Sequence, residues 1–349
     1  MNSLKHILKA LVEKHGSLDR NQAREVLQQI LTSAPGEDDV EIASLMTALA
    51  TRGETVDELV GFVEALRAAA VPLPLTEDER DAVIDTCGTG GDGAGTFNIS
   101  TAAALVAVGA GAKVAKHGNR AVTSKCGSAD VLEALGVPVM LAPDRAVDCL
   151  RQTGFMFMLA PALHPAMKRV LPLRRTLGFR TIFNLAGPLT NPAGAPAQIM
   201  GVYEPSRVPL VAEAMARLGM RHAFVVHGGD GLDELTLSGE SSVAEVRDGR
   251  VKLFRLVPED AGLLRVPLAA MAGADTVEEN AVILEKVISG EIGPRRDIVL
   301  LNASAALVAA GIASDLFDGV QRGARAIDSG AVKAVLKSLR EFGASEAKS

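Results

Sequence analysis

The chain of 349 residues holds only three cysteines, Cys87, Cys126 and Cys149, and no two stand at Cys-x-x-Cys spacing. An odd, scattered set makes neither a disulfide framework nor a tetrahedral zinc site, so a reducing, cytoplasmic setting is expected. Positive charge is not in excess either. The 36 Lys and Arg against 42 Asp and Glu leave a formal net charge of −6. A nucleic-acid surface normally shows the opposite balance on one face, so no nucleic-acid partner is expected. Long apolar runs are also missing. The apolar, uncharged stretch Ile298 to Ser314 contains Asn302, Ser304 and Gly311 and is too short for a membrane span, so no membrane partner is expected. It reads as a buried strand running into a buried helix. The first 14 residues carry Lys5, Lys9, Glu13 and Lys14 among apolar positions, an amphipathic helix and not a secretory leader. Repeats and low-complexity tracts are absent. With 48% hydrophobic and 22% charged residues, the chain reads as globular with room for two lobes.

The pattern along the chain predicts the fold class α/β, with a small all-helical N-terminal lobe and a larger α/β lobe around a mostly parallel central sheet. Leu4, Ile7, Leu8, Leu11 and Val12 fall at helical spacing. Asp19-x-x-Gln22 and Thr55-x-x-Glu58 are capping signatures for the second and fourth helices, and a third covers Val40 to Ala50. Val71-Pro-Leu-Pro-Leu then breaks the pattern. We assign residues 1–73 to the helical lobe, with a return segment at about 167–190, and residues 74–349 to the α/β lobe. Strands are expected at Ala82–Asp85, Ala112–Ala115, Phe155–Met158, Ile199–Val202, Ala223–Val226 and Val243–Val246, alternating with helices. In such a sheet the ligand loops lie at the carboxyl ends of the strands.

Four segments carry chemistry. In Asp85-Thr-Cys-Gly-Thr-Gly-Gly-Asp-Gly-Ala-Gly-Thr-Phe-Asn-Ile-Ser-Thr101, five glycines in eight positions sit between a strand and a helix starting near Asn98 or Ser100. Backbone N–H groups in such a turn, with the helix start, suit phosphate oxygens. No Gly-Lys-Ser/Thr closes it, so it is not a nucleotide P-loop. Lys116-His-Gly-Asn-Arg-Ala-Val-Thr-Ser-Lys-Cys-Gly-Ser128 gathers Lys116, Arg120 and Lys125 with amide and hydroxyl groups, a composition suited to pyrophosphate. Ser128 alone reads as a helix cap and His117 alone as structure. Val225-Val-His-Gly-Gly-Asp-Gly-Leu-Asp-Glu-Leu-Thr236 presents adjacent carboxylates, Asp233 and Glu234, whose side chains cannot easily point the same way. Oxygen donors without His or Cys beside them suit Mg²⁺, the bland alternative being an acidic surface turn; His227 reads as structure. Finally, residues 164–192 hold Lys168, Arg169, Arg174, Arg175 and Arg180, any of which could grip a carboxylate, and composition does not choose among them.

Taken in order, Gly88-Thr-Gly-Gly-Asp92, Thr96-Phe-Asn-Ile-Ser-Thr101, Lys116-His-Gly-Asn-Arg120, Gly127-Ser-Ala-Asp130, Arg174-Arg-Thr-Leu-Gly178, Phe183-Asn-Leu-Ala-Gly-Pro-Leu-Thr-Asn-Pro192, Leu232-Asp-Glu234 and Leu301-Asn-Ala closely resemble the anthranilate phosphoribosyltransferases of tryptophan biosynthesis. The resemblance covers essentially the whole chain. It implies transfer of the 5-phosphoribosyl group from phosphoribosyl pyrophosphate to anthranilate, two Mg²⁺ ions per monomer and a homodimer formed through the helical lobes. By the same resemblance, Gly88, Gly91, Asp92, Thr96, Asn98, Ile99, Ser100 and Thr101 contact phosphoribosyl pyrophosphate. So do Lys116, His117, Gly118, Asn119, Arg120, Ala121, Val122, Thr123, Ser124 and Ser128. Gly88, Asn119 and Arg174 match the anthranilate contacts, and Ser100, Asp233 and Glu234 the metal ligands. Two rivals remain. A pyrimidine nucleoside phosphorylase shares a two-lobed fold but would use free phosphate and need no acidic metal pair. A non-catalytic, transferase-like protein that binds nucleic acid would be expected to show a basic surface and to have lost Asp233, Glu234 or Arg174.

Overall fold

A computed structural model describes residues 3–121 and 125–346. The chain opens with four helices, α1 (Leu4–Glu13), α2 (Arg20–Thr32), α3 (Asp39–Arg52) and α4 (Val56–Ala68). Both capping signatures form. Asp19 accepts from the N–H groups of Asn21 and Gln22, and Thr55 from that of Glu58, while Gln22 and Glu58 reach back to the cap N–H. Glu58 does more than cap α4. Its buried carboxylate also accepts the Leu18 N–H at 3.0 Å and the Arg52 guanidinium, which in turn donates to the Gly16 carbonyl. One side chain thus ties the starts of α2 and α4 to the end of α3.

Seven strands follow: β1 (Val83–Gly88), β2 (Lys113–Gly118), β3 (Phe155–Leu159), β4 (Ala197–Gly201), β5 (His222–Gly228), β6 (Ser241–Arg247) and β7 (Arg250–Leu256). They form one sheet in the order β3-β2-β1-β4-β5-β6-β7, with the first five parallel and the last two antiparallel. All six expected strands are present. The seventh was not anticipated because it carries exposed Arg250, Lys252 and Arg255, spread over both faces, the charges of a protected edge. Asp248 and Gly249 (φ 51° and 75°) make the tight turn that joins it to β6.

The sheet is covered on both faces. On one, the helix Ile99–Gly109 is buried almost all round and the helix Pro294–Ala309 packs on it. This corrects the expectation for Ile298–Ser314, which is helical to Ala309 and contains no strand. A helix buried on every side has no polar stripe, so its sequence loses the period that separates helix from strand. On the other face, Met200, Ala223 and Val225 share one apolar cluster with Leu27, Leu59, Phe62 and Val63 of the helices at the start of the chain. Val170, Ile182, Phe183 and Leu185 join that cluster, and the rings of Phe62 and Phe183 lie 5.7 Å apart. Arg169 bonds Ser33 Oγ at 2.9 Å and Asp39 at 2.7 Å, so the 165–189 stretch is held to α2 and α3 by polar contacts too. Among the described residues, no helix is long and apolar enough to cross a membrane.

The chain runs from β1 out to β2 and β3 on one side, then crosses back to β4 on the other. That reversal opens a crevice at the carboxyl ends of β1 and β4, where Gly88 and Gly201 are register partners. Removing the Glu58 carboxylate leaves Arg52 and two N–H groups without it. Glu58→Ala is expected to lower unfolding free energy by about 3–5 kcal/mol in urea titration; a loss below about 1 kcal/mol would show that the clasp is dispensable.

Candidate functional site

Three segments meet above that crevice. After β5 the chain turns at Gly228 and folds back so that Asp233 lies over both strand ends. A Cβ on Gly201 would stand 1.5 Å from the Asp233 carbonyl oxygen, and one on Gly88 would stand 2.4 Å from Asp233 Oδ2. Only glycine admits the turn this closely. Asp233 Oδ2 accepts the Gly90 N–H at 2.7 Å, whereas Glu234 Oε1 accepts the Ser100 N–H at 3.1 Å, at the start of the helix Ile99–Gly109. The neighbouring carboxylates therefore diverge, one to the glycine turn and one to a helix N-terminus. His227 is structural, its Nδ1 lying 2.8 Å from the Val202 carbonyl.

The cationic side is less uniform than the sequence implied. Lys116 is buried, its ammonium bonded to the Thr86 carbonyl and 3.4 Å from Ser100 Oγ. Burial lowers its pKa, and the charges of Asp85, Cys87 and Glu234 oppose that shift. Asp85 accepts the His117 N–H at 3.0 Å and the Asn191 amide at 2.7 Å; burial pushes its carboxyl up to about 6 despite the neighbouring Lys116. Arg120 instead faces solvent and pairs with Asp130 and Glu133, and Lys125 pairs with Asp275. Asp130 also accepts the N–H groups of Ala121 and Gly127, closing the ends of this loop. Val122, Thr123 and Ser124 lie outside the described residues.

Around this framework, several buried polar atoms have no partner among the described residues: Thr89 Oγ1, Asn98 Oδ1, Thr101 Oγ1, His117 Nε2 and His164 Nε2. Thr89, Asn98 and Thr101 belong to the segment after β1 and His117 to β2, and buried polar atoms left without a partner are candidates for contacts from outside the chain. Asn98 stands at the cap position of its helix, yet its amide donates to the Cys126 carbonyl at 3.0 Å. Ile99 is buried in the core. The Asn119 carbonyl accepts Ser128 Oγ at 3.2 Å, and a Cβ on Gly118 would meet that hydroxyl, so Gly127 and not Ser128 holds the cap position. Thr96 bridges to Ala272, and Asp92 Oδ1 accepts the Ala94 N–H at 3.2 Å. The rings of His117 and His164 lie 5.1 Å apart. Burial lowers their pKa values to about 3 and about 4, so both are neutral near pH 7.

Among the basic residues of the 164–192 stretch, the structure separates roles. Arg169 is consumed by the α2–α3 contacts already described, and Arg175 is exposed. Arg180 lies 4.2 Å above the Tyr203 ring and donates to the Gly91 carbonyl. Arg174 is half-buried, 5.5 Å over Phe183 and 3.4 Å from Asn184 Oδ1. Desolvation alone shifts its pKa downward, and no carboxylate of the described residues pairs with it. Sequence reasoning missed Thr86, Asn191, Gly201, Tyr203 and Asn302. Gly201 and Asn302 did leave a trace, as a glycine at a strand end and an amide in an apolar run.

Burial raises the pKa of both Asp233 and Glu234; repulsion from Asp92 adds to the first and repulsion from Asp233 to the second. Crowded carboxylates with a serine hydroxyl nearby, Asp92 close to Asp233, and no His or Cys among the groups that shift their pKa values fit a hard cation that completes its shell with water or ligand oxygens. Glycine-turn N–H groups, orphaned hydroxyls and amides, paired acids and a guanidinium with no acid partner among the described residues are features that suit an anionic, phosphorylated ligand, the class that group-transferring enzymes of this fold type take.

Comparison with known proteins narrows this class. Residues 5–70 match the helical bundle domain of the glycosyl transferase family, and residues 80–333 match its a/b domain. The anthranilate phosphoribosyltransferase of Symbiobacterium thermophilum is 53% identical over 86% of this chain and 87% of its own length. The crystal structure of that enzyme from Thermus thermophilus superposes with a TM-score of 0.89 at 42% identity, covering 98% of this chain and 99% of the other. The Saccharomyces cerevisiae enzyme in complex with PRPP and Mg gives a TM-score of 0.88 at 29% identity, covering 98% of each chain. This chain belongs to that glycosyl transferase family and, within it, to the anthranilate phosphoribosyltransferases.

The raised carboxylates have a thermodynamic signature. Folded Asp233 and Glu234 hold protons more tightly than they do unfolded, so the stability they contribute is complete below the ordinary carboxylate range and lost as pH rises through their raised values. Chelator-treated protein should therefore lose more melting temperature between about pH 4 and about pH 8 than the Asp233→Asn, Glu234→Gln double variant does. Equal losses would contradict the assignment.

Proposed function

We propose that the chain transfers the 5-phosphoribosyl group from phosphoribosyl pyrophosphate to the amine of anthranilate. Pyrophosphate leaves, and the anomeric carbon is inverted because the amine attacks opposite the leaving group. The observation that carries this reading is the close seating of Asp233 and Glu234 over Gly88 and Gly201, beside the glycine turn and the start of a helix. Ser100, Asp233 and Glu234 would hold Mg²⁺, the ion present with PRPP in the yeast relative, and we infer two ions per monomer. When bound, the cation neutralises charge that develops on the departing pyrophosphate.

The remaining work falls to the chain. N–H groups of the turn from Gly88 to Gly91, with Asp92, Thr96, Asn98 and the helix start at Ile99–Thr101, cradle the donor's phosphates and ribose. Lys116 adds positive charge from beneath, and His117 to Ser124 with Ser128 complete that pocket. Arg174 receives the anthranilate carboxylate in a two-pronged grip, with Gly88 and Asn119 contacting the same substrate. An aromatic amine is unprotonated near neutral pH, so no side chain has to act as a strong base. Holding both substrates in line contributes up to roughly 7–11 kcal/mol. We place the reaction in tryptophan biosynthesis and in the cytoplasm, where free Cys87, Cys126 and Cys149 stay reduced.

We divide the chain into a helical lobe (1–73, with a return at about 167–190) and a substrate lobe (74–349). A homodimer would form through α1 and α3, where Val12 and Val40 are 59% and 76% exposed along a shallow groove with Ala43 and Thr47.

Anthranilate's own fluorescence should disappear on mixing with the protein, phosphoribosyl pyrophosphate and Mg²⁺, whereas thymidine and phosphate should yield no thymine. The converse result would favour the phosphorylase. Asp233→Ala or Glu234→Ala should abolish turnover at ordinary Mg²⁺ levels. Arg174→Ala should raise KM for anthranilate far more than KM for phosphoribosyl pyrophosphate, and equal rises would remove Arg174 from the acceptor site.

A further inference from the structure

Asn302 lies in the helix Pro294–Ala309 with 1% of its surface exposed, and its hydrogen bonds go to no residue assigned to a substrate. Its amide is nonetheless fully engaged with the turn that carries the carboxylates. Oδ1 accepts the Leu235 N–H at 3.0 Å, and Nδ2 donates to the Leu235 carbonyl at 3.0 Å and to the Ile298 carbonyl at 3.0 Å. The first two bonds pair the side chain with one peptide residue, much as a neighbouring strand would. Leu235 directly follows Glu234, so this pairing fixes the backbone from which both acids project. An aspartate could not donate, a leucine could do neither, and a glutamine is one carbon too long for the same register.

The other contacts of the turn show what Asn302 acts against. Asp230 accepts the hydroxyls of Thr236 and Ser238, each at 2.5 Å, and Thr236 N–H donates to Ser241 Oγ at 3.1 Å. Gly201 and Gly88 set the floor, leaving no room for Asp233 to sink. The turn is therefore bounded by β1 and β4 below, by its own polar side chains on one flank and by Asn302 on the other. Loss of the Asn302 flank would free Glu234 to swing from the Ser100 N–H.

We propose that Asn302 is a positioning residue for the acidic pair, setting divalent-cation affinity through the Leu235 peptide without touching substrate. The inference rests on the reading of Asp233 and Glu234 as cation ligands. A buried partner that orients a ligand-bearing segment typically changes metal affinity by about 10–100-fold.

The test measures Mn²⁺ binding to the full-length protein by water-proton relaxation, beside the Mg²⁺ dependence of the rate. Leu300→Ala serves as a control for lost packing, because Leu300 is buried in the same helix. Asn302→Ala should weaken Mn²⁺ binding about tenfold or more and raise half-saturating Mg²⁺ in parallel, with KM for anthranilate changed less than about twofold. If the alanine variant does not fold, Asn302→Asp replaces it, since it keeps volume and an acceptor for the Leu235 N–H while losing both donors. Mn²⁺ binding weakened no more than in Leu300→Ala would overturn the proposal. A wild-type protein that neither binds Mn²⁺ nor consumes anthranilate would instead sink the underlying functional reading.

Discussion

Everything at this site depends on how closely the turn bearing Asp233 lies against the ends of β1 and β4. The contact is possible because Gly88 and Gly201 are register partners and neither has a Cβ. An added methyl at either position would occupy space already held by Asp233 atoms. The parallel pairing of β1 with β4 thus does two jobs. It supplies the sheet's backbone bonds, and it ends in a flat platform on which a third segment can rest. The crevice that a strand-order reversal opens is a general property of such sheets; here an acidic turn covers it from above, where we propose the cation to sit.

The electrostatics follow from that geometry. Bringing Asp233 and Glu234 together under cover raises both pKa values, and Lys116 stands close enough to Glu234 and Asp85 for each to affect the other. Arg120 and Lys125, meanwhile, are occupied by the chain's own acids at the surface. Such exposed pairs contribute little to stability, so a phosphate bound there, as proposed above, would compete with them at small cost. The buried Lys116 differs. Its bonds to Thr86 join strands β1 and β2, and its distance to Ser100 relates them to the start of the helix Ile99–Gly109.

Much of this was legible in the sequence, for identifiable reasons. Six strands and the two capped helices announced themselves through apolar blocks and Ser/Thr/Asp caps, which are local signals. The Asp233–Glu234 pair, the glycine turn and Lys116 were visible as unusual composition at strand ends. What was not legible depends on contacts between distant segments. β7 looked polar because it is the edge strand with exposed charges on both faces, and Asp248-Gly249 was the overlooked hairpin cue. The helix Pro294–Ala309 was misread in part because burial on all sides erased its period. Asn302 interrupts an apolar run, but only the fold shows that the interruption meets Leu235. Among the arginines, composition could not separate Arg169 from Arg174; the difference is that one found Asp39 and the other found no acid.

That difference bears on how the acceptor would be held. A half-buried guanidinium has lost part of its hydration, and the Phe183 ring and a long contact to Asn184 replace only some of it. An internal acid would have relieved this deficit but would also have filled the position. Leaving Arg174 unpaired keeps that relief available to an incoming carboxylate, so the same desolvation that disfavours the empty site favours the occupied one. The segment bearing Arg174 is packed into the cluster that joins the first helices to the sheet, and Arg180, six residues on, reaches the glycine turn through Gly91. The acceptor grip and donor cradle proposed above are thereby linked by a short stretch of chain.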